Sequence, residues 1–369
     1  MLFLLFSLWH FNCKFNNNNM TEYSLSICIP SKRNLEESRA SISSAIGFCD
    51  ITGSELVVSD SSGEKNKSEM WNNIPLPFMN YLKNENKKES KWSDNWYNGI
   101  QNCSGNFIGV VSDDDIIVNL EKSVVDYKEI SQTDLAGIKP IISLWNSKQG
   151  IYELNNFNIN GNTAIERIKQ YHDLSAGNNT TYYSFFKKEI LNDIYKLLTY
   201  HPTKGGYLDW PIARACVASG KVLTDETKLL VYKNNNWFGD QEFINKQAMK
   251  LYEDCDLGVI GCYMSDLFHA LDTFILIMRK KSNVPFDEKL EAAEYALDFH
   301  LNRLIDNYNR GPHFFKQVAN EIEKINIEEN IALKLKSALN ILKVQFPNLV
   351  NDYLLFYEKS TESKWGDID

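Results

Sequence analysis

No stretch of this 369-residue chain beyond its first residues combines the length and the apolar character needed to cross a bilayer. The apolar start, Met1 to Phe11, is too short to span one and has no basic leader. Cysteine pairing motifs are also missing: the seven cysteines are odd in number and none forms a CxxC pair. That excludes a disulfide framework and a zinc ribbon, and it points to a reducing compartment. Positive charge is in deficit, with 39 Lys and Arg against 48 Asp and Glu and a net charge of −9. A general nucleic-acid binder is thereby excluded, though a local basic pocket for phosphate is not. There is no glycine in Pro30-Ser-Lys-Arg-Asn34, where a glycine-rich phosphate loop would follow a first strand. Internal repeats and coiled-coil heptads are absent as well. What is present is core material: 43% hydrophobic and 12% aromatic residues exclude wholesale disorder, in a length that suits one large domain or two ordinary ones.

Residues 1–19 are expected to be an extension outside the fold, with Met20 standing just before the first strand. Leu25–Pro30 reads as a buried strand, and Asn34 with Glu37 as a capping box that opens a helix fading near Gly47. Glu55–Asp60 reads as a second strand. Strand, helix and strand within this span make a parallel βαβ unit. A further strand is expected near Met79–Leu82, in a segment rich in Lys, Glu and Asn. Trp92, Trp96 and Ile100 then mark one face of a helix from about Ser90 to Asn102. Leu120–Ser131 is expected to be helical, Leu135–Trp145 a strand, and 146–180 an irregular, substrate-facing region. Thr181–Phe186 reads as a strand followed by a helix through Leu198. His201–Trp210 is expected to be a loop entering a helix over 211–219, with two short strands at 221–224 and 228–233. After about residue 240 the periodicity becomes helical, as in Leu267, Leu271, Phe274 and Met278. These stripes are expected to be core. The Phe274–Met278 face, followed by Arg279, Lys280 and Lys281, could alternatively rest on an anionic membrane surface. The tail from Ser360 is expected to fray.

The chemistry concentrates in Phe107-Ile-Gly-Val-Val-Ser-Asp-Asp-Asp-Ile-Ile-Val118. Val and Ile suit a covered strand, but ionised carboxylates do not sit in a dry interior unless paired or metal-bound. Asp113, Asp114 and Asp115 are therefore expected at the carboxyl end of a buried strand, where α/β sheets bind ligands. On a strand Asp113 and Asp115 would share a face, fit to hold Mg²⁺ or Mn²⁺ together with phosphate oxygens. An acidic turn capping the following helix is the plainer reading.

The stretch from Asn95 through Gly105 to Asp115 resembles the signature of family 2 glycosyltransferases. Ser26–Asn34 and Glu55–Ser62 resemble that family's first two strands and their turns. The resemblance covers roughly residues 23–235. It implies a GT-A fold, that is, a Rossmann-like α/β architecture whose mostly parallel central sheet is flanked by helices. Residues 20–239 would form that catalytic domain, and 240–369 a helical C-terminal region. It further implies a metal-dependent, inverting transfer from a nucleotide-diphospho-sugar, UDP-linked in most relatives, to an acceptor hydroxyl. Under the resemblance Asp60 reads the base, Ser31 lines the same pocket and Asp113 holds the ribose. Asp114 or Asp115 ligates the metal: strand geometry favours Asp115, and the family's spacing to Ile116-Ile117 favours Asp114. Asp209, in Gly205-Gly-Tyr-Leu-Asp-Trp-Pro-Ile-Ala-Arg214, would be the general base. Its plainer reading is a helix cap with Pro211 in the first turn.

Departures from the family pattern are specific. Lys32 replaces an aromatic, Leu208 replaces the first acid of an acid pair, and Val231–Trp237 offers no histidine. Lys87, Lys88 and Lys91 could approach phosphate, although a solvated charge run is the simpler reading. His172 and His201 are expected in loops near the cleft, and Arg214 in a structural role. The resemblance places the protein in the cytoplasm or at the inner face of the membrane, in cell-surface polysaccharide assembly. Its partners would be a nucleotide sugar and a saccharide or lipid-linked saccharide acceptor. A sugar nucleotidyltransferase and a non-catalytic nucleotide-sugar or divalent-metal binding module are the competing readings.

Overall fold

A computed structural model describes residues 23–83, 91–122, 125–175 and 177–364. The extension 1–19 and the lysines 87 and 88 lie outside the described residues. The described chain builds one nine-stranded sheet from β1 (Leu25–Ser31), β2 (Glu55–Asp60), β3 (Met79–Lys83), β4 (Phe107–Val110), β5 (Ile116–Asn119), β6 (Leu135–Asn146), β7 (Gly150–Asn155), β8 (Phe185–Lys187) and β9 (Lys221–Lys233). Their spatial order is β3-β2-β1-β4-β8-β6-β9-β5, with β7 on β6. The protein is α/β, with a helical C-terminal region. Its first four strands are parallel. Beyond them β8 runs antiparallel to β4 and β6, β6 and β9 pair in parallel, and β5 runs antiparallel to β9.

Side chains alternate across the sheet as a period of two demands. Ile27 and Ile29 of β1 join Leu56 and Val58 of β2 and Phe48 in one core. Cys28 and Val57 point the other way, into a second core with Trp96 and Ile100. With both faces covered, the strands can expose polar groups only at their ends. The helix Leu35–Thr52 starts on Asn34, whose Oδ1 accepts the Glu37 N–H at 3.0 Å, and ends at Gly53 with φ 66°. It outlasts the expected fade at Gly47 because Phe48 and Cys49 carry its buried face one turn further. The helix Trp92–Gln101 lies so close to β1 that a Cβ on Gly99 would stand 2.5 Å from the Cys28 sulfur.

Several local expectations change. The stretch Leu120–Ser131 is not one long helix: the Leu120 N–H extends the β5–β9 ladder to the Thr227 carbonyl at 2.9 Å, and among its described residues only Tyr127–Ile130 is helical. Residues 146–180 contain β7 and the helix Ala164–Ser175. Thr180–Tyr183 is a 3₁₀ turn before β8, and the two strands expected over 221–233 are one strand with an irregularity near Asp225. The helix Lys65–Asn72 was not anticipated.

The C-terminal helices, among them Ser265–Ile277 and Phe286–Arg310, pack into the same core as Leu208 and Ile212. Phe274 to Ile277 are buried, and so is Arg279, which donates to the Ala215 and Leu276 carbonyls and to Ser219 Oγ. That face is core and is not offered to a membrane. The last helix, Val350–Thr361, includes buried Ser360 rather than fraying there. Among the described residues no helix is long and apolar enough to cross a membrane.

Candidate active site

The carboxyl ends of β1, β2 and β4 meet at one edge of the sheet. Ser31 and Asp60 are register partners, and Asp60 in turn faces Lys83. The chain leaves β4 at Val110, and the three aspartates form the turn that leads to β5. They sit beyond the end of a buried strand, as expected. Because they lie in a turn, Asp113 and Asp115 do not share a strand face.

Each aspartate has its own surroundings. Asp113 Oδ2 accepts the Ser31 hydroxyl at 2.8 Å and the Lys32 and Arg33 N–H groups at 2.9 Å each. Its Oδ1 accepts Arg33 NH1. Burial opposes the charge of Asp113, but Arg33 and these donors outweigh it and hold the carboxyl below the usual range. Asp114 gives Oδ2 to Arg33 NH2 at 2.7 Å, and burial with neighbouring Asp113 raises it. Asp115 is buried and accepts the Lys233 N–H at 2.8 Å. Its Oδ2 has no hydrogen bond, with the Ser112 side chain alongside, and burial followed by Asp114 pushes it well up.

Behind these carboxylates lies a strut that sequence reasoning missed. Lys67, fully buried, donates to Ser31 Oγ at 2.6 Å, the Arg33 carbonyl at 2.8 Å and Asp60 Oδ1 at 3.2 Å. Tyr81 donates to Asp60 Oδ2 at 2.6 Å, and Ser62 N–H to Oδ1 at 3.0 Å. Ser31 and Asp60 therefore sit behind the cavity wall, with their polar atoms turned into internal bonds. The signal was weak, because Lys65 and Lys67 look alike in the sequence; only the spacing of Lys67 with Trp71, both buried, separates them.

Two adjoining cavities open in front. One, of about 560 Å³, is bordered by Asp113, Asp114 and the cations Lys32, Arg33, Lys204 and Lys233. The second, of about 610 Å³, holds Asp209. They share Trp92, Trp96, Ser112, Tyr183, Tyr232 and Trp237. A larger cavity of about 720 Å³ touches none of Ser31, Asp60, Asp113, Asp114, Asp115 and Asp209.

Asp209 opens the helix Asp209–Ala218 and has helical dihedrals itself, so it is not the residue before the helix that a capping role requires. Its Oδ1 accepts the Trp210 N–H at 2.9 Å, and Oδ2 accepts Asn179 Nδ2 at 3.1 Å. Tyr171 donates to Asn179 Oδ1 at 2.7 Å, which fixes the amide orientation. Burial pushes the Asp209 carboxyl up to about 7, against Asn179, the Trp210 N–H and Arg214.

Solved structures of S. aureus TarS 1–349 overlap 91% of this chain. The uncomplexed structure matches with a TM-score of 0.43 at 11% identity, over 86% of its own length. The UDP-GlcNAc complex gives 0.47 at 12% over 87%, and the UDP complex 0.46 at 12% over 86%. No family model and no curated protein matches the chain. Likeness of this degree carries no argument about activity, so function has to be argued from the side chains.

The donor set beside the first cavity suits a hard divalent cation. Asp114 borders the cavity, and such an ion takes one or two protein carboxylates and completes its shell with phosphate and water oxygens. Asp115 Oδ2, buried next to Asp114 with Ser112 alongside, is a further carboxylate oxygen close to it. Asp266, His269 and His300 are, among the described residues, the group of three whose ligand atoms lie within 4.8 Å of one another. Asp266 accepts His300 Nδ1 and Arg303 Nε, each at 2.9 Å, and an arginine thus lies on it as Arg33 lies on Asp114.

The histidines and Arg214 also find their places. His172 is helical rather than in a loop; it accepts Arg214 Nε at 3.1 Å and stacks on Phe299. His201 is buried against Asp272 at 2.9 Å. Both serve packing, as does Arg214. In Val231–Trp237, Asn234 turns inward to Tyr152, and Asn236 borders the first cavity.

Proposed function

We propose that this chain is a glycosyltransferase that moves a sugar from a nucleotide-diphospho-sugar to an acceptor hydroxyl with inversion, a family 2 reading on the GT-A plan. The observation that carries it is the pairing of the two cavities: a cationic one under Asp113 and Asp114, and beside it one holding a carboxyl poised near 7. Residues 20–239 would supply the donor and catalytic machinery, and 240–369 the helical support.

The donor diphosphate would lie along Lys32, Arg33, Lys204 and Lys233, whose charges match it. Asp113, ionised by its clamp, would accept the ribose hydroxyls. Ser31 and Asp60 would act through Lys67 and Arg33 by fixing the β1 turn against which the nucleotide rests. Asp114, with Asp115 behind it, would hold Mg²⁺ or Mn²⁺, which when bound offsets the charge growing on the departing diphosphate. Asp209 would take the acceptor proton as that oxygen attacks the anomeric carbon from the side opposite the leaving group. A base titrating near 7 is matched to this task. Asn179 and the Trp210 N–H aim it.

The test is nucleotide release from UDP-, GDP- and dTDP-sugars with and without Mn²⁺, paired with calorimetry of UDP plus metal. Release from one donor class, with Asp209→Asn inactive yet still binding the nucleotide, supports the reading. Absence of nucleotide binding in the presence of metal would sink it.

A further inference from the structure

We infer that the Asp209 cavity selects an uncharged saccharide as acceptor and rejects phosphate-bearing or uronic-acid polymers. This deepens the transferase reading and rests on it. The two neighbouring cavities share a wall but differ sharply in charge. The first is bordered by five cations, Lys32, Arg33, Lys91, Lys204 and Lys233, against three carboxylates, Asp113, Asp114 and Asp254. Among the described residues that line the second there is no lysine and no arginine; its one formal charge is the Asp209 carboxylate. An anionic acceptor would find no counter-charge there and would face Asp209 at close range, in a site where burial weakens screening.

What the second cavity offers instead is aromatic surface interleaved with neutral hydrogen-bonding groups. Trp92, Trp210 and Tyr232, only partly buried, and Trp237, 37% exposed, line it. Trp92 and Trp96 lie with ring centroids 4.5 Å apart, and Tyr183 and Tyr232 5.1 Å apart, so the faces are braced. The C–H face of a pyranose ring is apolar and packs on such platforms, while its rim of hydroxyls needs neutral donors and acceptors. Asn178 and Ser265 line the same cavity and can supply them. His269 reaches it too, and burial followed by His300 and Arg214 pushes that imidazole well down, so it is no cation for a phosphate.

The test uses the full chain and reads binding without donor, through tryptophan fluorescence. Chitotetraose and cellotetraose are the neutral probes; tetragalacturonate and a glycerol phosphate oligomer are the anionic ones. The expected result is that a neutral saccharide perturbs the fluorescence, binds about tenfold or more tightly than either anion, and keeps its affinity as salt is raised. Trp210→Ala, and independently Asn178→Ala, should weaken that binding in protein whose circular dichroism is unchanged. Equal or tighter binding of an anionic oligomer overturns the inference, as does silence towards both neutral probes. The two levels separate cleanly. Saccharide binding without nucleotide release from any donor removes the transferase reading and leaves the cavity's preference standing. Nucleotide release driven only by anionic acceptors does the reverse.

Discussion

Asp209 carries a charge in a place that resists it, and this sets its pH behaviour. A general base must be ionised, so kcat/KM should rise with pH and level off above about 7. A profile flat from pH 5 to 9 would remove Asp209 from that role. Asp209→Asn should cut turnover by about 10²–10⁴-fold while leaving UDP binding intact, read by nucleotide release beside calorimetry. The linkage sign is also determined. A carboxyl raised in the fold above its unfolded value binds protons more readily when folded, so its contribution to stability falls as pH rises from the unfolded value through about 7. The Asn variant should therefore melt no lower than the parent at pH 8. Lys67 shows the opposite case, a buried cation fully matched by partners. Lys67→Met strands Asp60 without its counter-charge, and urea denaturation should show a loss of about 3–5 kcal/mol, the cost of breaking a buried pair. A loss below about 1 kcal/mol would mean that Asp60 does not depend on it.

At the scale of the element, Asn179, just before the turn Thr180–Tyr183, orients the Asp209 carboxylate. Asn179→Ala removes a hydrogen bond to the ionised form of Asp209, so the rising limb of the pH profile should move to higher pH; an unmoved limb would show that the amide only packs. The helix Trp92–Gln101 has a similar dependence on Gly99. Gly99→Ala drives a methyl into the Cys28 sulfur and should cost about 1–3 kcal/mol in urea unfolding. These elements also show what the sequence could disclose. The Trp92, Trp96 and Ile100 stripe, the Asn34 cap and the apolar runs at 25–31 and 55–60 obey local periodicity, and each lies where that periodicity puts it. The aspartates were visible as carboxylates in an apolar run. Their separate surroundings were not, because Ser31, Arg33 and the Lys233 N–H reach them from far along the chain. Leu120–Ser131 misled for a related reason: the Leu120 N–H carries the β5–β9 ladder on to the Thr227 carbonyl, and among the described residues the helix keeps one turn, Tyr127–Ile130.

At the scale of the molecule, the texture change near residue 240 is not a seam in the core. Leu208, Ile212 and Val217 pack with Phe268, Leu271 and Leu297 in one continuous cluster. A chain ending at residue 239 would expose that surface, so it should not unfold cooperatively in urea or remain monodisperse; a sharp transition in the short chain would show that its sheet half stands alone. The two cavities meet along Trp92, Tyr183, Tyr232 and Trp237. A molecule that fills the first of them lies against rings that also line the second. On the proposed reading, a nucleotide would therefore alter how tightly a saccharide is held next door, through aromatic neighbours common to both, without having to arrive before it.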